Sequence, residues 1–352
     1  MLTRYMEHKY LAPTNVKFGA FPIAVVLLGL VFPSQSYSRE INVYSHRQPF
    51  LIKPFLRKFK LETGIKVNVV YASKGLVQRL LAEGDRSPAD VVLTVDIGRL
   101  HAYADKKLFA RLNSEILTRN IPAHLRDKDH FWFGLSKRAR VVAIARDRVK
   151  RSEALRIEDL ADPKWKGRIC SRPGSHVYNR ALLASLIAAH GEKKAEMWAR
   201  GLAANLARRP QGNDRAQVKA IFEGVCDVAI INSYYYGKLK HSRIPAQRSW
   251  ADAIDIVFTN GSGRGNHINI SGGGVAKYSK NKQLAVKFLE FLAGPTAQLL
   301  YSKINFEFPV NRKVAPGLEV ASWGSFKEDQ VAIGKIATLT PKAQKIIDRV
   351  GW

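Results

Sequence analysis

Cys226-Asp227-Val228-Ala229-Ile230-Ile231-Asn232-Ser233-Tyr234-Tyr235-Tyr236 runs from an apolar segment into two polar residues and then three consecutive phenols. The apolar core of this stretch is short and bounded by polar residues, which reads as a buried strand. Ser233 is placed to cap a following helix. A second isolated tyrosine, Tyr178, follows another predicted strand in the same half of the chain.

Outward from this stretch, strands and helices alternate. Strands are predicted at 41–44, 65–71, 90–95, 140–144, 168–171, 226–231 and 268–275. Helices are predicted at 49–62, 75–82, 97–108, 177–190, 192–206, 214–222, 285–292, 295–302 and 325–350. Pro54 kinks the first helix or marks its start, Ser73 caps the second, and Asp96 caps the third. Alternation of this kind argues for an α/β fold of parallel sheets with helices on their faces. Two such lobes are expected, 39–137 plus 262–312 and 138–261 plus 313–352, with crossovers at 140–144 and 268–275. The polar, glycine-rich segment 260–266 reads as a return linker, and Gly272-Gly273-Gly274 as a flexible hinge or a phosphate cradle. Two lobes joined by two crossovers enclose a cleft, and ligands in open α/β sheets bind beyond the carboxyl ends of strands.

Residues 1–38 read as an export signal: Arg4, Lys9 and Lys17, an apolar stretch at 18–32, then small residues at Ser36 and Ser38. That stretch is shorter than the roughly 20 residues a membrane-spanning helix needs, so a soluble, exported mature chain is expected. The remaining 314 or so residues suffice for two lobes with separate cores. Cys170 and Cys226 either pair as a disulfide or stay as separate buried thiols; the sequence leaves both open. Two cysteines exclude a sulfur-rich structural zinc site.

The net charge is +28, and about +26 without the leader. This excess favours anionic surfaces and anions. The basic residues are spread along the chain without a helix-turn-helix, zinc-finger or RRM signature, so no nucleic-acid partner is expected. No G-x-S-x-G elbow and no H-E-x-x-H motif is present, so no hydrolytic enzyme is expected.

The predicted strand ends carry the candidate chemistry: His46 and Arg47, then Tyr178, then Tyr234 and Tyr235. Phenolate oxygen is hard and anionic, which suits ferric iron. Three phenolates would cancel the charge of one ferric ion. A helix N-terminus would favour phenolate and attract a small anion. A nearby arginine could grip that anion. The bland readings are tyrosines that only pack, a loop histidine, and solvated charges at Arg47, Arg138 and Arg140.

Longer stretches match a known pattern. They include Val43-Tyr44-Ser45-His46-Arg47-Gln48-Pro49, Ser87-Pro88-Ala89-Asp90-Val91, Trp132-Phe133-Gly134-Leu135, Tyr178-Asn179, Asn232-Ser233-Tyr234-Tyr235-Tyr236-Gly237, Asn269-Ile270-Ser271-Gly272 and Asn305-Phe306-Glu307-Phe308-Pro309-Val310-Asn311. On these the chain resembles the periplasmic ferric-ion-binding proteins of bacterial iron-uptake ABC transporters, the bacterial transferrins. The resemblance implies a class II two-lobe periplasmic binding fold that closes by a hinge. It implies Fe(3+) held by Tyr178, Tyr234 and Tyr235, with Tyr236 a neighbour. No tyrosine follows His46, so the resemblance is to members that complete the site with carbonate, bicarbonate or a similar synergistic anion. Arg47 and Arg138 are then expected to hold the anion, with His46 as an extra ligand or a donor behind the site. The implied setting is a monomer in the periplasm delivering to an inner-membrane permease and its ATPase. A different solute in the same fold, such as an organophosphate, thiamine or a polyamine, is the alternative.

Overall fold

The computed structural model describes residues 39–352; the predicted leader at 1–38 lies outside the described residues. The described strands are β1 (Glu40–Ser45), β2 (Lys66–Tyr71), β3 (Val91–Thr94), β4 (Phe133–Ala145), β5 (Ile169–Cys170), β6 (Val228–Asn232), β7 (Ile254–Val257) and β8 (Ile268–Val275). The helices are α1 (Pro49–Thr63), α2 (Leu76–Glu83), α3 (Ile97–Asp105), α4 (Glu115–Asn120), α5 (Val177–His190), α6 (Glu192–Ala204) and α7 (Asp214–Phe222). They continue as α8 (Ser233–Lys240), α9 (Pro245–Asp252), α10 (Lys282–Ala293), α11 (Pro295–Asn305), α12 (Leu318–Ser322) and α13 (Ile333–Val350).

The strand order is β2-β1-β3-β8-β4-β6-β5, with β7 also against β4. β2, β1 and β3 run parallel, as the alternation predicts, whereas β8 lies antiparallel to both β3 and β4. β4 joins the two halves. Through Ala139 it pairs with β8, and from Arg140 onward with β6 and then β7. Its side chains alternate between two apolar clusters: Val142 and Ile144 enter one, Val141, Ala143 and Ala145 the other. β6 does the same with Val228 and Ile230 against Ala229 and Ile231. Burial on both faces explains why 141–145 of β4 and 228–231 of β6 are continuously apolar. The arrangement is the two-lobe α/β architecture expected from the alternation.

Several details differ from the sequence reading. β4 begins at Phe133, well before the predicted 140–144, because Gly134 and polar Ser136 break its apolar pattern. β7 and α9 carry weak signals, four residues in one case and a polar helix opened by Pro245 in the other. α13 starts at Ile333, not near 325, because Phe326 instead stacks on Phe258 at 4.4 Å and 8°. Ser73 does not cap α2; Gly75 does, in left-handed backbone at φ 84°. Ser233 is the first residue of α8, not its cap, and its buried hydroxyl has no partner. Asp96 does cap α3, its Oδ1 accepting from the Arg99 N–H at 3.1 Å.

The glycine run 272–274 is not a loop but lies buried in the second half of β8. A Cβ at Gly272 would lie 2.7 Å from the Phe133 carbonyl oxygen, and one at Gly273 2.6 Å from that of Val92. The glycines let a central strand pack where no side chain fits.

Candidate functional site

Tyr178 is the second residue of α5, and Tyr234 and Tyr235 are the second and third of α8. α8 starts where β6 ends, so the strand delivers the tyrosines to the edge of the sheet. Cys170, in β5, and Cys226, just before β6, form a disulfide that closes a loop containing Tyr178. In a chain-entropy model such a loop stabilises by about 4 kcal/mol. The Tyr234 hydroxyl lies 3.3 Å from the Tyr178 hydroxyl. The rings of Tyr234 and Tyr235 lie 4.4 Å apart.

Tyr234 and Tyr235 are not biased towards phenolate by the start of α8. Burial raises Tyr234 well above its ordinary value, with Tyr178 and Tyr235 adding to it. Burial pushes Tyr235 up to about 12, helped by Asp214 and Tyr178. Desolvation outweighs the helix termini here, so without a cation both phenols hold their protons at neutral pH.

Cations surround these rings. The guanidiniums of Arg172, Arg138 and Arg140 sit 5.2, 5.9 and 6.0 Å from the Tyr178 ring centroid. Arg215 lies 5.4 Å from the Tyr235 ring, and the Lys238 ammonium 5.3 Å from that of Tyr234. Beneath them Asp214, fully buried at the first turn of α7, ties the layer together. It accepts from Arg140 Nη1 at 2.6 Å, Arg172 Nη1 at 3.0 Å and the Asn232 N–H at 2.8 Å. Burial opposes its ionisation, but Arg140 and Arg172 hold its carboxyl below the usual range. Arg140 Nη2 also donates to Asn179 Oδ1 at 2.6 Å, which fixes the residue next to Tyr178.

The facing wall is built from His46, Arg47 and Glu307. Arg47 is buried, not solvated, and donates a two-pronged pair of hydrogen bonds to Glu307 at 3.0 and 2.9 Å, plus one to Ser271 Oγ at 2.5 Å. Burial favours a neutral Glu307, but Arg47 and then Arg138 pull its carboxyl down to about 2. Arg138 is likewise buried and donates to Ser271 Oγ at 3.0 Å and to the Ile270 carbonyl at 2.6 Å. His46 Nδ1 donates to the Ala72 carbonyl at 2.8 Å, so Nε2, at 2.9 Å, accepts from the Tyr103 hydroxyl. Burial and Arg99 bring His46 down to about 4, so the ring is neutral.

These two walls line one cavity of about 300 Å³. It collects Tyr178, Tyr234, Tyr235, His46, Arg47 and Arg138, every candidate named from the sequence. It also collects Arg99, Arg215, Lys238 and Glu307, which sequence reasoning missed. Glu307 had a usable signal: it is the one charge in Phe306-Glu307-Phe308-Pro309-Val310. Asp214 had none, because an acid after Asn213 reads as an ordinary solvated helix start. Burial lowers the Lys238 ammonium to about 8 against the pull of Glu307. The Nε–H groups of Arg138, Arg140, Arg172 and Arg215 are buried without a hydrogen-bond partner.

The chain is similar to several known proteins along most of its length. The model of the bacterial extracellular solute-binding proteins matches residues 44–299. The chain belongs to that family. Within it, iron uptake protein A1 of Synechocystis sp. is 44% identical over 315 residues, covering 89% of this chain and 88% of that one. A Trichodesmium protein solved in complex with iron and citrate ligands is 44% identical with a TM-score of 0.86, over 89% of this chain and 99% of that one. The ferric iron-binding protein A of Mannheimia haemolytica in an open conformation is 48% identical with a TM-score of 0.84, over 89% and 98% of the two chains. Among the described residues, no helix is long and apolar enough to cross a membrane.

Proposed function

We propose that this solute-binding protein captures ferric iron between the phenolate oxygens of Tyr178, Tyr234 and Tyr235, together with a small anion. The observation that carries this reading is the convergence of phenol oxygens from two separate helices, with Tyr178 and Tyr234 hydroxyls 3.3 Å apart. Adjacent donors on an octahedral ion with bonds of about 2 Å lie roughly 3 Å apart. Iron binding removes the three phenol protons, and the ion's own charge drives that loss. The names of the similar proteins, an iron uptake protein and a ferric iron-binding protein, support the same cargo.

Three phenolates neutralise the ion, while the single Asp214 carboxylate is shared by Arg140 and Arg172; the positive charge left over supports carbonate, bicarbonate or a similar anion as the remaining donor. Arg47 is already committed to Glu307, so its part is to fix that wall. The groups left to contact the anion are the Nε–H of Arg138 and the side chains of Arg215, Arg99 and Lys238. His46, with both ring nitrogens hydrogen-bonded, serves as a wall residue behind the anion. A polyamine is disfavoured because Glu307 is the only carboxylate among the lining residues and Arg47 holds it.

Proteins of this family work with ABC transporters. We infer a monomeric periplasmic carrier that hands iron to a permease and its ATPase in the inner membrane, and not a catalyst. The test is a titration with ferric citrate in bicarbonate buffer. A saturable ferric-phenolate absorption band at one iron per chain supports the reading. A colourless protein that instead binds a phosphorylated solute defeats it.

A further inference from the structure

Where α11 ends, Phe306 turns the chain through left-handed backbone at φ 57° and ψ 32°. This region is costly for a bulky aromatic, and helix ends of this geometry usually take glycine. The ring is held on one side of α8. A Cβ at Gly237 would lie 2.7, 2.9 and 3.0 Å from Phe306 Cγ, Cδ1 and Cβ, so the ring fills a notch that only glycine leaves open. One turn on, His241 stacks on the same ring at 5.3 Å and 12°. Gly237 directly precedes Lys238 and follows the tyrosine run on that helix.

The next two residues grip other elements. Glu307 holds Arg47 from the loop after β1 and accepts from Ser136 of β4. Phe308 exchanges both backbone hydrogen bonds with Lys137 of β4, at 2.8 and 3.0 Å. Three consecutive residues thus touch the tyrosine-bearing helix, the facing wall and the shared strand. Strain in a residue that surrounding structure over-determines marks a place where geometry is being set.

We propose that Phe306 is a positioning residue: wedged in the Gly237 notch, it fixes where α8 holds Tyr234 and Tyr235 relative to the Arg47–Glu307 wall. Its effect on iron rests on the function proposed above; its effect on the tyrosines does not.

The test uses the full chain with Gly237→Ala, Phe306→Ala and the double variant, plus Phe306→Asn, which tolerates left-handed backbone while removing the ring. Two readouts are taken: ¹³Cζ-tyrosine NMR resonances of the metal-free protein, and affinity for iron by citrate competition at the phenolate band. Each single variant should move the Tyr234 and Tyr235 resonances and weaken iron binding by about tenfold, the scale on which supporting residues act. The double variant should lie closer to wild type than Gly237→Ala alone, because the new methyl occupies space the ring has left. Single variants that melt earlier yet keep wild-type resonances and affinity overturn the proposal. So does a double variant no closer to wild type than Gly237→Ala. If a single variant does not fold, Phe306→Asn with unmoved resonances is also decisive against it. If wild type takes up no iron, the functional reading fails, and the resonances alone decide the wedge.

Discussion

The two walls of the cavity solve opposite problems. On the tyrosine wall, the donors Tyr234 and Tyr235 are protonated and held ready to change state, with Arg140 and Arg172 sharing one carboxylate and the buried Nε–H groups of Arg138 and Arg215 unpartnered around them. On the facing wall, Arg47, Glu307 and His46 are already matched to one another or to backbone, and their charge states are settled by burial and pairing. The first wall is reactive and the second is scaffold. A buried polar group that has its partner is expensive to disturb, whereas one that lacks a partner attracts a ligand.

The largest expected effect lies beneath the reactive wall. Asp214→Ala leaves Arg140 and Arg172 buried without their counter-charge, which should cost about 3–5 kcal/mol of stability in urea unfolding. A loss near zero would mean that the cluster is solvated and the wall is not preorganised. Next is the donor itself. Tyr234→Phe should fold normally yet lose at least about a hundredfold in iron affinity, more than an outer partner usually costs. Retained affinity would move the metal elsewhere.

A smaller, graded effect comes from pH. Tyr234 and Tyr235 are raised in the free protein, so binding must expel their protons. Affinity should therefore fall with falling pH, by up to about tenfold per unit for each proton released. A flat profile in citrate competition would show that the phenols do not ligate. The smallest effect is expected on the scaffold wall. His46→Gln should change iron affinity by less than about threefold, since neither ring nitrogen is free. It should instead flatten the acid dependence of stability. The folded state holds His46 at about 4, below the ordinary ~6.5, so the unfolded chain takes up a proton that the native ring refuses. That stability is present above ~6.5 and is lost as pH falls towards 4.

Much of this molecule was legible before folding. The strands at 226–231 and 268–275, the alternation of strand and helix, and Tyr234 and Tyr235 just past the end of β6 follow from side-chain period and local chemistry. So did the candidates Tyr234 and Tyr235, because the end of β6 fixes where the next residues emerge, and Tyr178, at the start of α5. Tertiary packing decided the rest. Arg138 and Arg140 look like surface charge in Ser136-Lys137-Arg138-Ala139-Arg140 until β4 buries them against Ser271 and Asp214. Nothing in the sequence around Gly237 shows that Phe306, distant in sequence, fills the space beside it. Local sequence sets backbone preference and the period of burial. Whether a charge is solvated, paired or left unmatched depends on which distant residue arrives beside it, and only the folded chain brings those partners together.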